Sequence, residues 1–468
     1  MFALPFILLM AVTGLVILYT QPLNDLTQGD LRSVSVPSGA EYQTLEVQEA
    51  AVEAAYPDGT VLDVTPPAGP ERSTRFFVDD GSKDGRHVFV DPYSAEVLGD
   101  VVPTGGIIGL SNRLHGYLNN DSITVSLPAV AALWDDGAVM RDYVLGDLIL
   151  EILGVWTLVL VFSGLYIWWP RRSSRGERRP VIRRGATGRA RWRDLHGLGG
   201  VALLSVMCLT IISGLGWSTY WAEQFNSLAE TLTPGVAVEQ PASALGVRGD
   251  LDRFGNQIPW ATGEFPIPAS YAPSNLDGSA AAPLSLDAVA AIAVDEGMKP
   301  GYTISFPSNT VDEAGNEVLG SYALYNSWPR QTGDARDLFL DQFSGETLAE
   351  QNLYGMGTIY KGMDYLVSTH MGTQLGIFSR IFMTALCLLS IWSVVSAAAM
   401  YVKRRRPGSL GLPRRPVDVR LARGVAVIAV VTGIVFPQWG VTAVVILAAD
   451  RWLVRRVAPL RRMFGQLA

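Results

Sequence analysis

Apolar runs long enough to cross a bilayer constrain this chain more than any other feature. A helical span needs about 20 mostly apolar residues. Four runs meet that need: Phe2–Thr20 (FALPFILLMAVTGLVILYT), Leu145–Trp169, Leu198 to about Trp221, and about Leu375 to Val402. A fifth region, Val425–Ala449, is interrupted by "FPQWG". It reads as two short helices in a tight hairpin, with one broken helix as the alternative. Composition agrees: 49% of the 468 residues are hydrophobic and only 17% are charged, too apolar for an average soluble protein.

Basic residues set the orientation. The loop Arg171–Arg193 reads "RRSSRGERRPVIRRGATGRARWR", the segment after the fourth span reads "KRRRPGSLGLPRRPVDVR", and the tail reads "RWLVRRVAPLRRM". The positive-inside rule makes all three cytoplasmic. The expected order is a first span (1–22), an outer segment (23–141), a second span (142–170) and a basic inner loop (171–195). A third span (196–222), a second outer segment (223–370), a fourth span (371–402), an inner loop (403–423), a hairpin (424–450) and an inner tail (451–468) follow. Trp168 and Trp169, and Trp217 and Trp221, read as interfacial belts at the ends of the second and third spans. The net charge of −7 averages basic inner edges with acidic outer segments, so the basic runs are topology signals and no nucleic-acid partner is expected. The lipid bilayer is the first partner. Phe2–Thr20 lacks a basic lead and a small-residue cleavage site, so it reads as a retained span.

The outer segments echo each other. "VDPYSAEVLGD" (Val90–Asp100) matches "LDQFSGETLAE" (Leu340–Glu350), each after a short alternating strand, "RHVFV" or "RDLFL". Upstream of each lies a helical pattern, Thr44–Pro57 and Ser285–Gly297. Helix, strand, strand, strand therefore occurs twice, which argues for two related α+β units at about 42–100 and 284–350. The Pro-, Gly- and Ala-rich stretch that begins at Gln240 reads as a linker or irregular loop. The expected fold is a polytopic α-helical membrane protein: a bundle of four long transmembrane helices plus a C-terminal helical hairpin, with two small α+β outer units.

Four histidines are present. His87 reads as an exposed strand residue. His115 precedes the second span on the outer side, His196 opens the third from the inner side, and His370 opens the fourth from the outer side. Each of these three has a glycine close behind: Gly116, Gly197 and Gly372. Small neighbours suit a flat macrocycle, and neutral imidazole is a common haem ligand. His115 and His370 can pair on the outer side, while His196 has no inner partner. The first and third spans share [Ser/Thr]-Gly-Leu, as Thr13-Gly14-Leu15 and Ser213-Gly214-Leu215. If these spans are equivalent, a partner for His196 belongs about four residues before Met1, in a longer chain. Glu151 reads as an interfacial residue or one paired with a polar neighbour, with proton relay or contact with a haem edge as the alternatives, and Asp450 as paired with a nearby arginine.

Other chemistries find no support. Cys208 and Cys387 both lie inside spans, which removes an outer disulfide and a cysteine metal cluster. "TGGIIG" (Thr104–Gly109) lacks the rest of a dinucleotide fingerprint, and no Walker, nucleophile-elbow or zinc pattern occurs.

The chain resembles the PepSY-associated transmembrane proteins of bacterial inner membranes. Some of these are iron-regulated and some act as ferric-siderophore reductases. The likeness covers nearly the whole chain and rests on "PFILLMAVTGL", "LVFSGLYIWWPRR", "RWRDLHGLGG" with "ISGLGW", the two outer echoes and "THMGTQLGIFSR". The resemblance implies PepSY-like periplasmic units and b-type haems (haem b) held between histidines: His115 and His370 for an outer haem, His196 for an inner one. It implies an electron donor, a quinol or a cytoplasmic partner, and passage of electrons to a periplasmic ferric chelate or siderophore. An iron-chelate permease and a cofactor-free PepSY protein that binds a protease or peptide are the competing readings.

Overall fold

The computed structural model describes residues 3–120, 122–128, 140–168, 185–216, 218–235, 242–251, 265–271, 282–311, 315–326, 331–404 and 419–463. Residues 171–184 of the expected basic loop 171–195, residues 405–418 of the expected loop 403–423, and most of the expected linker lie outside them. The chain divides into two compact units. Unit 1 holds Met1–Leu15, Arg113–Trp221 and Ile381–Ala468; unit 2 holds Val16–Asn112 and Ala222–Arg380.

The helices in chain order are α1 (Ala3–Leu18), α2 (Thr20–Thr27), α3 (Gly29–Arg32), α4 (Leu45–Ala55), α5 (Gly106–Tyr117), α6 (Leu145–Trp168) and α7 (Gly188–Leu215). They continue with α8 (Thr219–Leu232), α9 (Leu286–Asp295), α10 (Thr358–His370), α11 (Ile377–Val402), α12 (Val419–Val435) and α13 (Pro437–Ala449). Two of them, α6 and α11, are long and apolar enough to cross a membrane. The count rises to four if the bent pairs α1 with α2 (63°) and the two arms of α7 (53°) each form one span. This is a helical membrane protein with two to four candidate spans, and the first and third of the four expected ones coincide with the bent pairs. The third begins at Gly188, ten residues before the apolar run, and ends at Leu215, so Trp221 belongs to α8. The "FPQWG" interruption is a sharp bend at Phe436, where Gly433 and Gly440 lie so close that a Cβ on Gly440 would stand 2.8 Å from the Gly433 carbonyl.

Unit 2 is built on a β-sheet. The strands of the chain in order are β1 (Thr60–Thr65), β2 (Thr74–Asp79), β3 (Arg86–Val90), β4 (Val97–Val101), β5 (Thr124–Pro128) and β6 (Met140–Val144), these last two in unit 1, then β7 (Ala242–Val247), β8 (Pro266–Pro268) and β9 (Tyr302–Ser305). After them come β10 (Thr310–Val311), β11 (Glu317–Val318), β12 (Ser321–Asn326), β13 (Arg336–Asp341) and β14 (Thr347–Asn352). Eight form one antiparallel sheet in the order β14-β13-β12-β9-β1-β2-β3-β4. The two echoing segments thus fuse through β1 and β9, with Asp63 opposite Ser305 and Val64 opposite Ile304. Alternation places Val64, Phe76, Val88, Ile304, Leu324 and Leu338 on one face, all fully buried against α4 and α9. Each such side chain contributes about 1.5–3 kcal/mol by leaving water.

The echo extends to backbone detail. The Asp91 carboxylate accepts from the amides of Tyr93 and Ser94, and Asp341 from those of Phe343 and Ser344. Both turns then enter left-handed backbone, at Ala95 (φ 58°) and Gly345 (φ 72°). Thr44 and Ser285 cap α4 and α9 through their hydroxyls, the role that short polar side chains take at helix starts.

Part of the expected linker is ordered. β7 and β8 pair, and between them Arg248 is buried and ion-paired with Asp337 at 2.6 Å. A buried guanidinium needs such a partner, and the linker reading overlooked it.

Candidate functional site

His115 lies near the end of α5, in unit 1. The helix stops there because Leu118 and Asn119 adopt left-handed backbone (φ 53° and 57°), and Asn119 folds back to Arg113 through both its amide and its side chain. Gly146, at the start of α6, lets the two helix ends touch: a Cβ there would stand 1.8 Å from the Tyr117 carbonyl.

The imidazole is anchored by α1. Thr13 Oγ1 lies 2.8 Å from His115 Nδ1 and also 2.7 Å from the Leu9 carbonyl. A hydroxyl has one hydrogen. With that hydrogen given to Leu9, Thr13 accepts from His115, which sets the proton on Nδ1 and the lone pair on Nε2. Gly14 gives the ring room, since a Cβ there would meet His115 Cε1 at 3.4 Å and Cys387 Sγ at 3.8 Å.

His196 repeats the pattern, also in unit 1. It sits two turns inside α7 rather than at its opening, with Nδ1 2.9 Å from Ser396 Oγ of α11. Ser396 is fully buried and its hydroxyl donates to the Ser393 carbonyl at 3.0 Å. The same count of hydrogens places the proton of His196 on Nδ1. Trp192 and Trp392 stack nearby, with centroids 5.7 Å apart, and Gly199 packs on Trp392.

His370 is the last residue of α10, in unit 2. Its motif "STHMGTQ" is a helix stop. Gly372 takes left-handed backbone (φ 72°) with Leu18 packed where a Cβ would lie. Gln374 Oε1 then accepts from the Thr332 amide at 3.0 Å and from the Ser368 hydroxyl at 2.7 Å. The glycines behind the histidines therefore have individual reasons. Gly372 ends a helix, and Gly197 faces Trp168. Their recurrence is no common mark of a macrocycle.

His87 corrects its sequence reading. It is half-buried on β3, edge-on to Phe77 with centroids 6.1 Å apart. Burial, with Arg75 and Arg32 adding to it, holds its pKa well below the ordinary value, so it stays neutral.

Glu151 is buried in α6 of unit 1. Its carboxylate accepts from the Trp221 amide at 2.6 Å and the Gln438 side chain at 3.3 Å. It thus covers the start of α8 and holds the bend between α12 and α13. Asp450 pairs with Arg455 at 2.8 Å, as expected. Sequence reading missed Thr13 and Ser396 as anchors. The [Ser/Thr]-Gly-Leu pattern marked Thr13, while nothing marked Ser396.

Among the described residues, no three His, Cys, Asp or Glu side chains converge as a cage for a bare metal ion. A donor set of single imidazoles, each fixed through Nδ1 by a hydroxyl of another helix, suits a planar iron macrocycle, which takes one protein nitrogen per face. The same arrangement can serve as plain helix-to-helix hydrogen bonding.

No curated protein is similar enough to the chain to count as a match. Residues 1–404 match the family described as the PepSY-associated TM region. With so much of its length matched, its helices and doubled sheet in one frame, the chain belongs to the PepSY-associated transmembrane family.

Proposed function

We propose that this protein is a haem-binding oxidoreductase of a bacterial inner membrane that delivers electrons to a ferric chelate or siderophore on the outer side. The observation that supports this most is the pair of anchored imidazoles, His115 on Thr13 and His196 on Ser396. In both, the proton lies on Nδ1 and the lone pair on Nε2, the state in which imidazole binds iron. His115, His370 and His196 would hold b-type haem. Bound haem supplies reversible one-electron transfer. The residues of the chain orient the imidazoles, and the buried Glu151 bridge keeps the α12–α13 bend against α6. The two sheet halves are the PepSY-like units and face the periplasm in this reading. Iron(II) is released because hard oxygen ligands hold it less tightly than iron(III).

Optical spectra of the purified protein, oxidised and then dithionite-reduced, test the proposal. Sharp b-type bands that are lost in His115→Ala or His370→Ala support it. A colourless protein expressed with ample haem refutes it.

A further inference from the structure

Helices α6 and α12, both in unit 1, enclose a groove of about 570 Å³. Phe162, Leu165 and Tyr166 of α6 form one wall, and Val427, Val431 and Thr432 of α12 form the other. Tyr166, near the end of α6, meets Gly424, near the start of α12, where a Cβ would collide with the tyrosine ring. From Gly424 to Thr432 the helix rises roughly 12 Å, most of the roughly 15 Å of hydrocarbon in one leaflet.

The walls are apolar. Phe162, Val427 and Val431 stay exposed, and in a membrane protein such surface meets lipid rather than water. Thr432 turns its hydroxyl into its own helix, donating to the Ile428 carbonyl at 2.8 Å. One end of the groove is basic. Arg423 is exposed and stands on the stripe Arg423, Val427, Val431, one turn before the groove begins. Helix side chains lean toward the N-terminus, so Arg423 reaches past the groove toward the membrane surface. From Lys403 to Arg423 the sequence holds eight basic residues and one acid, Asp418.

We propose that this groove binds one anionic phospholipid, an acyl chain lying along Phe162, Val427 and Val431 and the phosphate meeting Arg423. Basic pockets between membrane helices take anionic headgroups in this way. A quinol fits less well, since the lining offers no carboxylate or imidazole to take its proton. A second copy of the chain also fits less well, because two parallel copies set their basic ends at one depth, where they repel. The lipid is then part of the joint that holds α12 to α6. α12 lies beyond residues 1–404, which carry the family match, and the inference does not depend on haem.

Native mass spectrometry of the full-length protein tests it, after delipidation in mild detergent and titration with phosphatidylglycerol or phosphatidylcholine. The wild type binds one phosphatidylglycerol about fivefold or more tightly than phosphatidylcholine. Arg423→Gln lowers that preference about fivefold, and Val431→Trp fills the groove and removes both lipids. Val430→Trp changes an exposed valine outside the lining and leaves binding intact. Equal binding of the two lipids by the wild type, a preference unchanged in Arg423→Gln, or binding unchanged in Val431→Trp overturns the proposal. Retention of an isoprenoid quinone in place of phospholipid, or a dimer that Val431→Trp dissociates, gives the groove to another occupant and overturns it as well. If Arg423→Gln does not fold, the two valine variants decide.

Discussion

Leu45 and Asp287 join the starts of two helices that lie far apart in the chain. The Asp287 carboxylate accepts the Leu45 amide at 3.0 and 3.2 Å, and the Asp287 amide donates back to Glu46 Oε1 at 3.1 Å. Glu46 and Asp287 hold the same position in their helices, two residues after the capping Thr44 and Ser285. Each carboxylate serves the other helix, where partial positive charge gathers. Asp287→Ala is expected to cost about 1 kcal/mol, read as a lower unfolding midpoint for the sheet.

That junction makes the sheet sensitive to pH. Burial, then its bond to Glu46, raises Asp287 to about 6. Burial also acts on Glu46, but hydrogen bonding from Asp287 outweighs it and lowers Glu46. Burial and the neighbouring Glu53 and Glu46 raise Glu49 to about 7. Between the ordinary carboxylate range and these values the two carboxyls bind more protons in the folded than in the unfolded state, so they make stability fall as pH rises and level off above about 7, while His87, held neutral in the fold, opposes part of that fall. Thermal melts are expected to show a more stable sheet at low pH within that window than above it. Glu49→Gln flattens the slope and, discounted for partial solvent access, gains about 1 kcal/mol on the alkaline side. Identical slopes in the two proteins would refute this.

Ala95 and Gly345 occupy matching turns with positive φ. Alanine pays for that backbone and glycine does not, so Ala95→Gly should stabilise by about 0.5–1 kcal/mol. Gly345→Ala should destabilise, because its Cβ would lie 2.5 Å from Ile292 Cδ1. Paired denaturation curves check both signs.

Gly146→Ala forces a methyl to within 1.8 Å of the Tyr117 carbonyl. The ends of α5 and α6 must separate, at a cost of ~3 kcal/mol or more. Loss of folded protein on size-exclusion chromatography, with Gly164→Ala unaffected, is the expected outcome; nothing lies near a Cβ at Gly164.

Thr13→Val and Ser396→Ala remove the hydroxyls that orient His115 and His196. With haem as proposed, each variant should hold it about 10- to 100-fold less tightly, with a shifted midpoint potential in redox titration. Potentials and haem content equal to wild type would show that the hydroxyls only join helices.

Much of this architecture was readable in the residues. The echo of Val90–Asp100 in Leu340–Glu350 pointed to two alike units, because the Asp-x-aromatic-Ser turn leaves its mark locally. That the units share one sheet was not readable: β1 meets β9 through long-range pairing that no local pattern encodes. The bends between α1 and α2 and within α7 were hidden for a related reason, since apolar composition reports length and not direction. His115 stood out by its position, yet its anchor Thr13 lies 102 residues away. Arg248 was lost inside a stretch judged by its glycines and prolines, although its burial depends on one carboxylate on a distant strand.

The β1–β9 seam also sets a timetable for synthesis. Thr65 must await Thr303, 238 residues later in the chain, and α5 through α8 are made in between. At ~5–20 residues per second the first half waits roughly 10–50 s with β1 as an open edge. A newborn chain therefore has an interval in which it needs a guardian or risks pairing with its neighbour.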